Sequence, residues 1–230
     1  MRKTALALLM LTLVAGPAAA QRKETETVDR TVAFSRGGTL KLKNFSGDVR
    51  ITGTEGTDVI VHAVRTATRE RLDNIKLDIE VDGSTVSIEA NRKSPNWDSR
   101  NDNVVDTVFE IQVPSATLLN LYAFSGDLIV RGTTADVEAQ TFSGNIDLDL
   151  SAAPQSPDVK AETFSGDITT RVTAASNGRV EFNSFSGDLR SDLPLQLHRK
   201  SRRDVSADLG SGGGAKLDFK TFSGDLKLVK

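Results

Sequence analysis

The chain has 230 residues, a formal net charge of −2, two histidines and no cysteine. The lack of cysteine excludes disulfides, thiolate catalysis and cysteine-based metal sites, and two scattered histidines argue against a zinc site. A weakly acidic chain has little attraction for nucleic acid or anionic lipid, so neither is expected as the main partner.

Residues 1–20 have the features of a secretory signal. Arg2 and Lys3 precede the apolar run 5–14, and the small residues 18–20 form the expected cleavage site. The run is too short to anchor the chain in a membrane, and no later stretch is apolar enough to do so. We predict a signal peptide over 1–20, one domain over 21–230, no membrane anchor, and an exported, periplasmic or extracellular location.

A six-fold repeat of Phe-Ser-Gly-Asp, with Asn for Asp once, dominates the rest of the chain. The copies begin at Phe45, Phe124, Phe142, Phe164, Phe185 and Phe222. Alternating apolar and polar residues flank each copy, a pattern typical of strands with one buried face. The apolar phase shifts across the motif, from Val137 and Ala139 to Ile146 and Leu148, so each unit reads as strand, Ser-Gly corner, strand.

The spacing of the copies predicts an all-β, β-solenoid (β-helix-like) fold. Repeats of about 20 residues suggest stacked units that bury their apolar faces against each other, with like corner residues aligned in columns. Weaker echoes at 55–61 and 82–88 suggest further units in the long gap after the first copy. The rival interpretation is an antiparallel meander in which Ser-Gly closes hairpins.

Five segments depart from the repeat pattern. Residues 21–31 are predicted to be a polar lead-in, and 68–74 one or two helical turns. Residues 91–106 are predicted to be an exposed loop, 198–203 form a basic run, and 210–214 are a glycine-rich tip. Loops on rigid scaffolds often carry function, so the candidate ligand contacts in these segments are Trp97, Arg100, Arg199 and Arg202.

The repeats resemble a known family. The pattern of residues 44–51, then 59–61, then serial Ser-Gly-Asp strands is similar to the bacterial "putative adhesin" family of secreted or membrane-attached β-strand-repeat proteins, a domain of unknown function. The resemblance spans most of 30–230. It implies a β-solenoid-like fold at the cell envelope and supplies no catalytic residues. The chain departs from the family's pattern in its Phe before nearly every Ser-Gly and in its lack of a lipid or membrane anchor.

The corner residues are predicted to be structural. They are Gly47, Asp48, Gly126, Asp127, Gly144, Asn145, Gly166, Asp167, Gly187, Asp188, Gly224 and Asp225. An aligned column of carboxylates needs neutralisation, either by backbone N–H groups, which is the favoured interpretation, or by Ca²⁺ between units. For the Phe column, burial at the corner is favoured over an exposed aromatic strip.

These patterns predict a secreted, non-enzymatic, adhesin-like binding or structural protein, with no cofactor. Its partner would be an unidentified envelope or extracellular polymer or protein. The alternatives are a β-helix enzyme acting on polysaccharide, or a calcium-stabilised structural module. No catalytic constellation accompanies the repeating acids, which recur with the scaffold as structural residues do.

Overall fold

The computed structural model describes residues 22–34, 36–94 and 104–230. About two thirds of these residues lie in strands, with one short helix, so the predicted all-β class is confirmed. The strands form two mixed sheets, one of nine strands and one of ten, which we call sheet A and sheet B. One continuous core of buried apolar residues lies between them.

The first half of the chain contains β1 (Lys23–Ala33), β2 (Thr39–Ser46), β3 (Val49–Thr54), β4 (Asp58–Thr68), α1 (Arg69–Asn74), β5 (Ile75–Asp82), β6 (Thr85–Lys93) and β7 (Asp106–Pro114). The second half contains β8 (Leu118–Ser125), β9 (Leu128–Arg131), β10 (Val137–Ser143), β11 (Ile146–Asp149), β12 (Val159–Ser165), β13 (Ile168–Arg171), β14 (Gly178–Ser186), β15 (Leu189–Ser191), β16 (Leu195–Lys200), β17 (Asp204–Leu209), β18 (Ala215–Ser223) and β19 (Leu226–Val229).

Each repeat is a crossing from one sheet to the other. The strand before the motif lies in sheet B, the strand after it lies in sheet A, and Gly-Asp or Gly-Asn connects them. The predicted shift in apolar phase is confirmed, because Val137 and Ala139 before the corner and Ile146 and Leu148 after it are all buried.

The repeat units pair in parallel and without register slips. Ser143 lies opposite Ser125 on one side and Ser165 on the other, and the remaining units follow the same rule. Across sheet B the order of these strands is β2, β8, β10, β12, β18, β14. The sixth repeat therefore lies between the fourth and the fifth, an order that the sequence spacing did not predict.

The flanks differ from a uniform solenoid. Strand β4 pairs antiparallel with β1 and β7, as do β5 with β6 and β17 with both β14 and β16. The echo at 82–88 is not a further unit, since Gly83 lies in the tight turn of the β5–β6 hairpin, and residues 55–57 only connect β3 to β4. At these two places the chain reverses direction within one sheet instead of crossing to the other. The rival interpretation, in which Ser-Gly closes hairpins, is wrong, because all six Ser-Gly corners cross between the sheets and the β5–β6 hairpin turns at Gly83-Ser84 instead.

Two minor predictions have opposite outcomes. The expected helical turns are confirmed as α1. The expectation of a frayed lead-in at 21–31 was wrong, because β1 pairs with β4 along its whole length and Val28 and Val32 pack against the core. The predicted signal peptide and most of the 91–106 loop, with Trp97 and Arg100, lie outside the described residues.

Candidate functional site

The corners stack through their glycines. In five units the glycine Cα faces the backbone of the neighbouring unit in the stack so closely that no side chain fits, and in the first unit Gly47 faces Thr107 of β7 in the same way. A Cβ on Gly144 would overlap the carbonyl oxygen of Gly126 and lie 2.6 Å from its carbonyl carbon. Gly126, Gly166, Gly187 and Gly224 are in the same position relative to their own neighbours. Glycine is needed here for close approach and for a positive φ, as at Gly47 with φ of 102°.

The acidic residues of the corners form a ladder with backbone donors. The N–H of Asp127 donates to Oδ1 of Asp48 (3.1 Å), and that of Asn145 donates to Oδ1 of Asp127 (2.7 Å). The same bond continues from unit to unit through Asp167 and Asp225 to the N–H of Asp188. Only one side-chain oxygen is used in each bond, which explains why Asn can replace Asp at position 145. Backbone N–H groups supply the neutralisation that the column needs.

Basic side chains complete the pairing for several of these carboxylates. Lys227 lies 2.9 Å from Oδ2 of Asp167, and Arg190 lies 3.1 Å from Oδ2 of Asp225. The N–H of Asp225 and the Lys227 ammonium together lower the pKa of Asp167 below its usual range. These carboxylates are thus engaged in the scaffold.

Inside the corners, hydroxyl groups bond to the glycine carbonyls. Thr141 Oγ1 donates to the Gly126 oxygen (3.2 Å), Thr163 to Gly144 (3.0 Å) and Thr221 to Gly166 (3.3 Å). In the first unit Asn44 Nδ2 donates to the Gly47 oxygen at 2.8 Å. Ser184 occupies the equivalent position in the fifth repeat, which is the terminal unit of the stack, but its buried hydroxyl has no partner.

The six Phe rings form one continuous ladder that runs across sheet B near the C-terminal ends of its strands. Neighbouring ring centroids are 4.7–5.0 Å apart and the rings are stacked nearly parallel, with interplanar angles of 2–14°. The ladder is about 24 Å long. Phe124 is half-buried, whereas the other five rings are 43–51% exposed. The favoured expectation of burial was wrong, because the residue before Phe points inward and Phe itself points to solvent.

A groove runs beside the ladder on the outer face of sheet B. It has a volume of about 620 Å³, and four Phe rings form one wall. Its polar lining includes Gln140, Glu162, Lys220 and Asn183, which lie directly opposite one another on successive strands. Glu162 and Lys220 pair at 3.1 Å. At one end the Arg203 guanidinium lies 4.3 Å from the centre of the Phe185 ring and covers its free face.

Other candidate residues lie away from this ladder. Arg199 is an exposed residue of β16, and Arg202 lies in the turn between β16 and β17. His62 contacts Asp29 and His198 contacts Asp208, both at 2.6 Å and on the surface. The hydrogen bond from His198 lowers the pKa of Asp208. Within the described ranges no group of three or more His, Asp or Glu side chains is placed to hold a metal ion.

The sequence analysis missed a second, shorter ladder at the other end of the sheet B strands. The N–H of Asp158 donates to Oδ1 of Asp136 (2.9 Å), and that of Lys216 donates to Oδ1 of Asp158 (2.8 Å). The signal was an Asp immediately before the first apolar residue of β10 and of β12.

The described part of the chain contains no helix of the length and apolarity needed to cross a bilayer.

Comparisons with known proteins agree with this architecture. A search of curated proteins found no match. A "putative cell adhesion protein" from Clostridium sporogenes has a similar structure, with a TM-score of 0.62 at 12% identity, covering 89% of this chain and 99% of that chain. For a "putative adhesin" from Bacteroides fragilis the TM-score is 0.38 at 14% identity, covering 90% and 98%. The first likeness shows a shared fold.

The family assignment comes from the sequence itself. Residues 109–229 match the family described as Toastrack DUF4097. The match begins in β7 and includes five of the six repeats, so it covers the region that contains most of the ladder. Because the matched segment is more than half of the 230 residues, the chain belongs to the Toastrack DUF4097 family.

Proposed function

We propose that this chain is an exported, non-enzymatic, adhesin-like binding protein of the cell envelope, and that the Phe ladder is its contact surface. In this proposal residues 1–20 are removed as a signal, and 21–230 form one domain. The Phe-Ser-Gly-Asp units act as the rungs of a solenoid-like scaffold whose role is to hold the rings in line. The adhesin names of structurally similar proteins are in keeping with this role.

The exposure of the ladder is the observation that carries the proposal. Half-exposed Phe rings leave about 90 Å² each to solvent, so the ladder presents roughly 500 Å² of contiguous aromatic surface. This is within the size range of the largest apolar patch on a typical monomer, a patch that is often functional. None of the six rings belongs to the buried core between the sheets.

The orientation of the rings favours a protein partner over a glycan. Sugars and cations stack on the open faces of aromatic rings, but here each interior face is covered by the next ring. The ladder instead presents ring edges, which carry partial positive charge and pack well against aliphatic groups and the faces of other aromatic rings. We therefore expect an apolar or aromatic protein surface as the partner.

The corner geometry supports a non-enzymatic role. Four of the five carboxylates that repeat in the chain accept a backbone N–H, and each histidine contacts one carboxylate. Backbone donors, with Lys227 and Arg190 at two of the corners, favour a column that is stabilised without calcium.

Binding to isolated bacterial envelopes tests the proposal. The double variant Phe142→Ser/Phe222→Ser interrupts the ladder at two separated rings, and Ile60→Ser/Ile129→Ser removes apolar groups from the outer face of sheet A as a matched control. We expect the ladder variant to lose at least about ten-fold in affinity, the control to bind normally, and protease treatment of the envelopes to abolish binding. Equal binding by correctly folded ladder and control variants would exclude the ladder as the contact surface.

A further inference from the structure

The stack of repeat units is open at one end. Strand β15 is the last strand of sheet A, whereas sheet B continues past the same unit with β17 and β16. Sheet B is therefore two strands longer than sheet A at this end. The space where a further strand of sheet A would lie is a cavity of about 300 Å³ between β15 and the β16–β17 hairpin.

Each of the five units other than the terminal one donates two backbone N–H groups to the next unit in the stack. In the third unit, Gly144 donates to Ser165 (3.1 Å) and Ile146 donates to Asp167 (3.0 Å). The equivalent donors of the terminal unit are the N–H groups of Gly187 and Leu189, which have no strand to receive them among the described residues. The Asp188 carboxylate likewise has no N–H to accept, although its counterparts in the five other units each have one.

The cavity also leaves apolar side chains exposed and a buried hydroxyl without a hydrogen-bond partner. Residues equivalent to Leu189 in the other units are fully buried, but Leu189 is only partly buried, and Leu197 is 56% exposed. The Ser184 hydroxyl, in a residue that is 6% exposed, lines the same cavity without a hydrogen-bond partner. An unpaired strand edge beside uncovered leucines is a template for one additional strand.

The charges around the cavity define the strand that fits. Its lining contains three basic side chains, Lys200, Arg202 and Arg203, and one acidic side chain, Asp188. Asp188 would accept a backbone N–H of the incoming strand, as every other corner carboxylate does. The excess of positive charge then selects acidic side chains where that strand passes the basic hairpin turn.

We propose that this open end binds an extended peptide segment of a partner protein, in which apolar residues alternate with acidic ones. The segment adds to sheet A as a tenth strand beside β15, covers Leu189 and Leu197, and places its acids against the basic hairpin turn. This site lies at the end of the stack and does not depend on the ladder being a contact surface.

A synthetic peptide tests the proposal on the full domain. The probe is Ser-Gly-Asp-Leu-Glu-Leu-Glu-Val, and the control replaces both Glu with Lys. We expect saturable binding of the Glu peptide, at least ten-fold weaker binding of the Lys peptide, and slower amide exchange at Leu189 and Ser191 only when the Glu peptide is bound. The exposed charge swap Lys200→Glu/Arg202→Glu should reverse the preference between the two peptides without changing the melting temperature.

Three outcomes would overturn the proposal. One is equal affinity for the two peptides, and another is amide protection at β5 or along the Phe ladder instead of at β15. The third is concentration-dependent self-association of the domain that the charge swap abolishes, because a second copy of this chain would then be the occupant of the open end.

Discussion

Replacing Gly144 by alanine tests whether the corners depend on direct backbone stacking. The added Cβ would overlap the Gly126 carbonyl, so the two units must separate by about 1 Å or more. Three hydrogen bonds join the units at this point: Gly126 N–H to Ser143, Leu128 N–H to Asn145, and Asn145 N–H to Asp127 Oδ1, with lengths of 2.7–3.0 Å.

The size of the effect follows from these contacts. Each lost hydrogen bond costs about 1 kcal/mol, and a positive φ at a non-glycine residue adds about 1 kcal/mol. We therefore expect Gly144→Ala to lower the free energy of unfolding by about 4 kcal/mol. That is a large part of the roughly 5–15 kcal/mol typical of a domain.

Two glycines serve as controls in the same urea-denaturation assay. Gly37 has a positive φ of 75° with no atom near the added Cβ, so Gly37→Ala should cost about 1 kcal/mol. Gly213 has open space and no positive φ, so Gly213→Ala should change stability by less than about 0.5 kcal/mol. If Gly144→Ala costs no more than Gly37→Ala, the close approach of the corner backbones does not limit the sequence, and the reasoning fails.

Three further changes probe the columns one at a time. Thr163→Val removes the donor to the Gly144 carbonyl and should lower the free energy of unfolding by about 1–3 kcal/mol in chemical denaturation. An unchanged free energy of unfolding would mean that water replaces the hydroxyl, against this prediction. Asp167 has a lowered pKa, so its ion pair stabilises the fold above about pH 4 and is lost on acidification. Asp167→Asn keeps the acceptor for Asp225 but should flatten the fall of melting temperature below pH 5, and parallel curves would contradict this. Asn145→Asp places a charge between Asp127 and Asp167 and should destabilise by about 1 kcal/mol in low salt, an effect that 1 M NaCl should remove.

Local features of the fold could be predicted from the sequence because they follow from period-two alternation. The phase shift between Ala139 and Ile146 requires the chain to change faces, and the structure buries both residues. The all-β class and the short helix at 69–74 follow from similarly local patterns.

The order of the units could not be predicted, because every Phe-Ser-Gly-Asp copy offers the same edge to its neighbours. Pairing of β18 with both β12 and β14 depends on the 33 residues between the last two copies (189–221), which form the β16–β17 hairpin and then return to the stack. The exposure of the Phe rings also could not be predicted. Sequence alone shows that Phe is out of phase with the core, but not whether another segment covers it.

The position of the sixth repeat has a consequence for how the molecule is made. Residues 215–229 are synthesised after both of their neighbours and form the middle layer between them. Until they arrive, the fifth repeat can settle directly on the fourth, since their matching edges would accept that shortcut. A chain interrupted before residue 215 would therefore close up into a shorter, wrongly joined stack instead of waiting with a gap, and the finished protein must either delay that closure or undo it.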